Sequence, residues 1–334
     1  MTERVLVTGT SGQDGSYLCE RLLAEGCEVH GLTHGLPQPG TLAPGRGLSE
    51  ADQERIIWHS GDLVDPVQVG DLVAEIAPSA IYNLAGISSV AQSWEMPRIT
   101  ALVTGVGAIT LFEAALKLQE RTSTPVRVVQ ASSAEIFGSP SEVPQTERTP
   151  ISPVSPYGAA KAFAHHMAGA FRSRGLHVAT VILYNHESPR RPPAFVTRKI
   201  TSTVAAIAVG KAERLSLGNL DARRDWGWAP DYVDAMVRAA RHDVPGDYIV
   251  ATGESHSVRE FVAAAFERAG IMDWQERVEV DPAFVRPVDP AEQLGDSSLA
   301  RRELGWRPTV DFAEIVGRMV DADLAEHMAV SQER

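Results

Sequence analysis

The stretch Arg4-Val5-Leu6-Val7-Thr8-Gly9-Thr10-Ser11-Gly12-Gln13-Asp14-Gly15-Ser16-Tyr17-Leu18 decides the fold. Its first five residues are an apolar run of the kind that fills a buried strand, and Leu18 and Leu22 then recur on one face of a helix. Between strand and helix stand Gly9, Gly12 and Gly15, three residues apart. Such glycines let the chain turn tightly, bring backbone amides close to a diphosphate and pack the helix on the sheet, while the helix N-terminus adds partial positive charge. A merely tight strand-to-helix turn carries the same local signature. What favours a dinucleotide site is position, because the turn follows the first strand of an alternating series.

That series continues with strand-like runs at Glu28 to Leu32, Arg55 to His59, Ala80 to Leu84, Val126 to Ala131 and Ala179 to Leu183. Helix-compatible segments lie between them, among them Ser16 to Ala24, Pro66 to Ile76, Thr104 to Leu118 and Pro156 to Arg174. The alternation predicts an α/β fold, a Rossmann-like doubly wound parallel sheet with a smaller interleaved α/β substrate lobe. Residues 1–184 plus about 225–252 are expected to form the dinucleotide-binding domain, and about 185–224 plus 253–330 the substrate-binding lobe. The smaller lobe takes its outline from a helix at Val258 to Ala269, and the sheet gains a further strand at Tyr248 to Thr252. His34 to Ser49 and Ser139 to Ser155, rich in Gly, Pro or Ser and without period, read as long loops.

The strand ends supply the candidate site. Gly9, Ser11, Gly12, Gln13, Asp14 and Gly15 are expected to meet the cofactor, with His34, Asp62, Leu63 and Leu84 at the ends of the next strands. Asp62 is placed to accept a hydrogen bond from an adenine amine, and equally to cap a helix. Tyr157 and Lys161, four residues apart, share a helix face, where an ammonium is expected to lower the phenol pKa toward neutrality and make Tyr157 a base for a sugar hydroxyl. Ser133, in Gln130-Ala131-Ser132-Ser133-Ala134-Glu135, closes the fifth strand beside them.

Composition excludes other classes. With 43 acidic against 31 basic residues the formal charge is −12, which disfavours nucleic acid and anionic membrane as partners. The run Val5-Leu6-Val7 follows Met1 too soon for a signal peptide, and no later stretch is read as membrane-spanning, so a soluble cytoplasmic protein is expected. Cys19 and Cys27 are too few for a disulfide framework, and the ten histidines include no pair at metal-binding spacing, so no catalytic metal is expected.

Taken together, these residues resemble the extended short-chain dehydrogenase/reductase superfamily, and within it the GDP-mannose 4,6-dehydratase family. The most specific pieces are the glycine-rich stretch from Thr8 to Leu18, Asn185-His186-Glu187-Ser188-Pro189-Arg190-Arg191, Phe195 to Ile200, Leu217 to Gly227 and Ala251 to Phe261. The resemblance implies a bound NADP, reduced and reoxidised within one turnover. It implies that Tyr157, assisted by Ser133 and Lys161, takes the 4-hydroxyl proton while C4 gives up hydride, and that Glu135 then moves the C5 proton and helps the 6-hydroxyl leave. It places Ser88, Asn185, Lys199, Leu217, Gly218, Arg224 and Arg286 on a GDP-linked sugar, and implies a homodimer built on the helices Thr104 to Leu118 and Pro156 to Arg174.

Four departures stand against the family pattern. Leu32-Thr33-His34-Gly35 lacks both the usual 2′-phosphate arginines and an acidic residue for a ribose, which leaves NAD as the alternative cofactor. Gly86-Ile87-Ser88-Ser89-Val90 lacks an amide and an imidazole, Trp228 replaces a histidine, and the Gly- and Pro-rich loop after the second strand leaves a tetramer in doubt. The alternatives are an epimerase or a variant dehydratase acting on another nucleotide sugar, and a non-catalytic dinucleotide-sensing protein.

Overall fold

The computed structural model describes residues 2–34, 47–284 and 288–332. Strand β1 (Arg4–Thr8) is buried on both faces: Val5 and Val7 point into one apolar cluster and Leu6 into another, as a two-residue period demands. The chain leaves β1 through Gly9 at φ +71° and enters helix α1 (Gln13–Ala24). Then come β2 (Glu28–Thr33), α2 (Glu50–Arg55), β3 (Ile57–Ser60), α3 (Pro66–Ile76), β4 (Ala80–Asn83), α4 (Val90–Glu95) and α5 (Pro97–Thr100). A π-helical turn, Ala101–Val106, runs into α6 (Gly107–Thr122), followed by β5 (Arg127–Ser133), a 3-10 turn at Ala134–Phe137, α7 (Pro156–Ser173) and β6 (His177–Leu183). Helices α3 and α7 begin as their sequences dictate, with Pro66 and Pro156 in the first turn behind capping Asp65 and Ser155.

The remaining elements are β7 (Asn185–Glu187), α8 (Val196–Ala208), β8 (Leu215–Leu217), β9 (Arg223–Arg224), β10 (Trp226–Trp228), α9 (Ala229–Arg241), β11 (Asp247–Val250), β12 (His256–Ser257), α10 (Val258–Arg268), β13 (Val278–Val280), β14 (Glu292–Gln293), α11 (Ser298–Glu303) and α12 (Phe312–Gln332). Seven strands form one parallel sheet in the order β11-β6-β5-β4-β1-β2-β3. The order reverses between β1 and β4, and there the crevice of a doubly wound sheet opens at the carboxyl ends of the strands. A third apolar cluster, built on Ile200, Val204, Trp226, Phe261, Val316 and Met319, holds α8, α10 and α12 together with the short strands β8 and β10.

Two expectations need correction. The run Arg55 to His59 begins as the end of α2, and β3 starts only at Ile57, because Ser49 caps the Glu50–Arg55 turn through Asp52 N–H. Pro97–Thr122 is, by length and composition, apolar enough to cross a membrane. Leu111, Phe112 and Ala115 are fully buried on it, however, so the apolar face is spent on the core under the sheet.

Candidate active site

A cleft of about 830 Å³ opens over the carboxyl ends of β1, β4, β5 and β6, walled on the far side by Phe195, Lys199, Leu217 and Phe284. Glycine is required at its phosphate-side edge. A Cβ on Gly15 would lie 2.1 Å from the Gly9 carbonyl oxygen, and one on Gly9 would lie 2.9 Å from the backbone of Leu84 and Ala85. Gly12 precedes α1 with no side-chain cap, so the first amides of that helix face the cleft unshielded by a side chain.

Gly9, Ser11, Gly12, Gln13, Asp14, Gly15 and Leu84 all line the cleft. The side chains of Gln13 and Asp14 are committed elsewhere. Gln13 Nε2 donates to the His186 carbonyl at 3.0 Å and its Oε1 accepts from Ser188 Oγ at 2.8 Å, while Asp14 meets His186 Nε2 at 2.9 Å. Their contribution to a ligand is therefore mainly backbone. His34, Asp62 and Leu63 do not line the cleft. They flank it, since Gly61 N–H donates to the Thr33 carbonyl at 3.0 Å and so sets the ends of β2 and β3 side by side. The Asp62 carboxylate accepts from Val64 N–H at 3.1 Å in the turn ahead of α3, whose cap is Asp65, so Asp62 does not cap a helix, and His34 is exposed.

Four chemistry-bearing side chains converge on the floor. Ser133 ends β5, and its hydroxyl accepts from Glu135 N–H at 3.3 Å and hydrogen-bonds the Tyr157 phenol. Tyr157 is held at the start of α7 by its own N–H, which donates to the buried Ser93 Oγ at 3.2 Å. Lys161 Nζ donates to the Ala131 carbonyl at 2.9 Å and lies 5.8 Å from the Tyr157 ring centre. Glu135 follows on the 3-10 turn, its Oε1 accepting from Gln293 Nε2 at 3.3 Å.

The electrostatics differ from the expectation drawn from spacing. Burial pushes the Tyr157 phenol up to about 12, against the pull of the Ser133 hydrogen bond and the Arg191 charge. Burial also pushes the Lys161 ammonium down to about 8, opposed by Asp14. Desolvation thus outweighs the lysine's attraction for a phenolate, because the ammonium is itself buried and turned to a backbone carbonyl.

On the substrate side, Ser88, Asn185, Lys199, Leu217, Gly218 and Arg224 line the cleft, and Arg286 lies outside the described residues. Lys199 Nζ sits 3.3 Å from the Phe284 ring centre, and burial lowers its pKa from the ordinary value. Arg224 is 7% exposed and already bonded to Asp289 at 2.5 Å and to the Pro290 carbonyl at 2.8 Å, so it braces the cleft wall. The other basic residues of the second half divide. Arg198 is buried against Asp323, Arg190 stacks on Tyr17 and pairs with Glu20, and Arg223 and Arg259 pair with Glu260 and Asp221, whereas Arg191 lines the cleft. Of the departures from the family pattern, Ser89 lines the cleft, while Ile87 and Trp228 do not.

His186 and Trp94 were not singled out from the sequence. His186 is buried, stacks on Tyr232 at 4.6 Å, and has a ring nitrogen against each of two acceptors, the Tyr184 carbonyl and Asp14. Trp94, 53% exposed, stands at the cleft mouth. No local pattern marks His186, because Asp14 and Tyr232, which fix its role, lie far away in sequence.

The family model for GDP-mannose 4,6 dehydratase matches residues 6–319. GDP-mannose 4,6 dehydratase 1 of Arabidopsis thaliana is 43% identical over 323 residues, covering 96% of this chain and 89% of the relative. GDP-mannose 4,6-dehydratase of Sinorhizobium fredii is 42% identical over 348 residues, covering 97% and 98%. Among solved structures, DesIV, a dTDP-glucose 4,6-dehydratase from Streptomyces venezuelae with NAD and TYD bound, superposes with a TM-score of 0.83 at 26% identity, covering 98% of each chain. The chain belongs to the GDP-mannose 4,6-dehydratase family.

Proposed function

We propose that the protein is a hydro-lyase that converts GDP-mannose to GDP-4-keto-6-deoxymannose. The observation that carries this reading is the convergence of Ser133, Glu135, Tyr157 and Lys161 at one end of the glycine-edged cleft. The near-full-length likeness to GDP-mannose dehydratases supports the substrate.

The cleft fits a nicotinamide dinucleotide. The uncapped N-terminus of α1 and the close Gly9–Gly15 packing suit a diphosphate, and Asp62 with Leu63, just after β3, is assigned to the adenine. NADP is the favoured form, with the exposed His34 assigned to its 2′-phosphate; NAD is the alternative. When bound, the nicotinamide supplies a hydride store that is filled at C4 and emptied at C6. In its phenolate form, which the positive charge of an oxidised nicotinamide would favour against burial, Tyr157 takes the 4-hydroxyl proton, with Ser133 on the same oxygen and Lys161 positioned by Ala131. The 4-keto group acidifies C5, so the C5–H bond breaks with its proton passing to Glu135. The electron pair forms the C5–C6 double bond as C6–O breaks, and the same proton departs with the hydroxyl as water; when hydride is returned to C6, C5 takes up the proton that Tyr157 received from O4, so that only water is lost.

Lys199, Asn185, Ser88, Leu217 and Gly218, all in the cleft lining, are assigned to the GDP-sugar. The two-lobe division at residues 1–184 plus 225–252 against 185–224 plus 253–330 then separates cofactor from sugar nucleotide. A homodimer accounts for the exposed Ile99, Leu102, Val106 and Phe163, apolar side chains on α5, the π-turn and α7, where Phe163 abuts Gly105.

The test is incubation with GDP-mannose and mass spectrometry of the nucleotide sugar and the released cofactor. A product lighter by one water, with a 4-keto group, is expected. A product that keeps its 6-hydroxyl assigns an epimerase or a variant outcome, and binding without turnover assigns a sensing protein.

A further inference from the structure

Gln293 makes a contact that none of the chemistry above requires. It is 2% exposed, on the two-residue strand β14, and its side-chain amide donates to Glu135 Oε1 at 3.3 Å across 158 residues of chain. A buried carboxamide is costly unless its donors are satisfied, and this one is spent on the side chain read as the acid and base of the elimination.

The backbone behind it is braced on both sides. The Gln293 carbonyl accepts from Asp225 N–H at 3.0 Å, and β14 pairs with β9 so that Gln293 faces Arg224. The next residue is tied to the loop before α7, because Leu294 N–H donates to Gln145 Oε1 at 3.2 Å and Gln145 N–H donates to the Leu294 carbonyl at 2.8 Å. Gln145 Oε1 is in turn fixed by Tyr184 Oη at 2.8 Å. The amide therefore approaches Glu135 from a rigid frame.

We propose that Gln293 is a positioning residue for Glu135, holding one carboxylate oxygen so that the other faces C5 and C6 of the sugar. The proposal rests on the dehydratase reading. Its chemical sense lies in the neutrality of the donor. Glu135 must be a carboxylate to take the C5 proton and an acid to release the hydroxyl, so whatever holds it has to leave both forms within reach. A neutral amide stabilises the carboxylate modestly and orients it, whereas a paired guanidinium would hold it too acidic for the second half of the step. The donor also comes from the strand that neighbours Arg224 on the cleft wall, so the base is aligned by the part of the molecule that meets the sugar nucleotide.

The experiment compares the whole enzyme with Gln293→Met and Gln293→Glu, using GDP-mannose as the probe. Dehydration kcat, KM, the pH profile of kcat and the absorbance of reduced nicotinamide during turnover are read together. In Gln293→Met, kcat is expected to fall about tenfold, the strength of a lost hydrogen bond to a charged group. KM should be nearly unchanged, reduced nicotinamide should build up because C4 oxidation now outruns elimination, and the acidic limb of the profile should move to higher pH. Gln293→Glu, almost the same shape, should move that limb further, since a second carboxylate opposes ionisation of the first. If both variants match wild type in profile and cofactor absorbance, or if activity falls with neither of these moving, the positioning role is wrong. A wild-type enzyme that does not dehydrate GDP-mannose overturns the functional reading first, and the role of Gln293 with it.

Discussion

Glu135 and Tyr157 sit within one hydrogen-bonded cluster yet are assigned different steps, and substitution separates them. Tyr157→Phe is expected to abolish oxidation at C4 while cofactor binding persists. Glu135→Gln should permit oxidation but stall elimination, leaving reduced nicotinamide on the enzyme, which single-turnover absorbance would reveal; full dehydratase activity in either variant removes its assigned role. Lys161 carries a cost as well as a task. Its folded pKa, about 8, lies below the ordinary 10.5, so the buried ammonium destabilises the fold at pH values below about 8, and the penalty fades as pH rises toward 10.5. Lys161→Met should therefore inactivate the enzyme yet stabilise the ligand-free protein at pH 7 by about 2 kcal/mol. The Ala131 carbonyl would keep its bond from Gln130 Nε2 at 2.8 Å. Denaturant melts at pH 7 and pH 10 check this, and a variant equally destabilised at both would contradict it.

At the scale of elements, the glycine turn is not held by β1 and α1 alone. The segment His186–Ser188, β7 and its exit, clasps Gln13 and Asp14 through three side-chain hydrogen bonds, which ties the turn to the strand that leads into the smaller lobe. Burial pushes the His186 imidazolium down, but the Asp14 carboxylate against it prevails and raises its pKa. Burial likewise pushes Asp14 up, and His186 prevails and lowers it. The signs set a window. The histidine's contribution is complete below its ordinary 6.5 and is lost as pH rises through its elevated folded value, while that of Asp14 is complete above 3.8 and is lost as pH falls through its depressed one. The clasp is thus strongest between about pH 4 and pH 6.5. His186→Gln should lower the melting temperature more at pH 5.5 than at pH 8.5, by an amount corresponding to about 1–3 kcal/mol. An equal loss at both values would mean that the ring is neutral. The π-turn at Ala101–Val106 is a second device at this scale, because it lets Thr104 Oγ1 accept from Ile87 N–H at 3.1 Å and so fixes the strand exit bordering the cleft.

For the whole molecule, the exposed apolar group on the π-turn and α7 predicts a self-associating face. Leu102→Asp combined with Phe163→Asp is expected to shift sedimentation velocity from dimer to monomer, with Tyr157 still in place because its N–H is anchored by Ser93. A wild-type protein that sediments as a monomer at micromolar concentration would dismiss this interface. The chain after β6 is tied to α1 through long-range polar links, among them Arg190 with Glu20 and His186 with Asp14, and to α9, whose Tyr232 packs between His186 and Trp306.

Chain order was legible where local physics decides it. The runs that became β1, β2 and β4 and the helices at Pro66 and Pro156 carry their own burial period, caps and prolines, so each reads correctly from a dozen residues. The glycine turn and the Tyr157–Lys161 spacing are equally local, which is why the candidate floor of the cleft was visible before any coordinates. After Leu183 most strands are only two to four residues long, and α8, α9 and α12, though 13, 13 and 21 residues long with apolar faces of their own, went unrecognised because such short strands break the regular strand–helix alternation. Charge depends on partners far away in sequence. Sequence alone marks Arg198, Arg224 and Lys161 as cations, but only the tertiary fold decides that Arg198 is consumed by Asp323, that Arg224 is braced by Asp289, and that desolvation, not attraction, sets the balance between Lys161 and Tyr157. Spacing along the chain determines what can share a face; burial and long-range partners determine what a group on that face does.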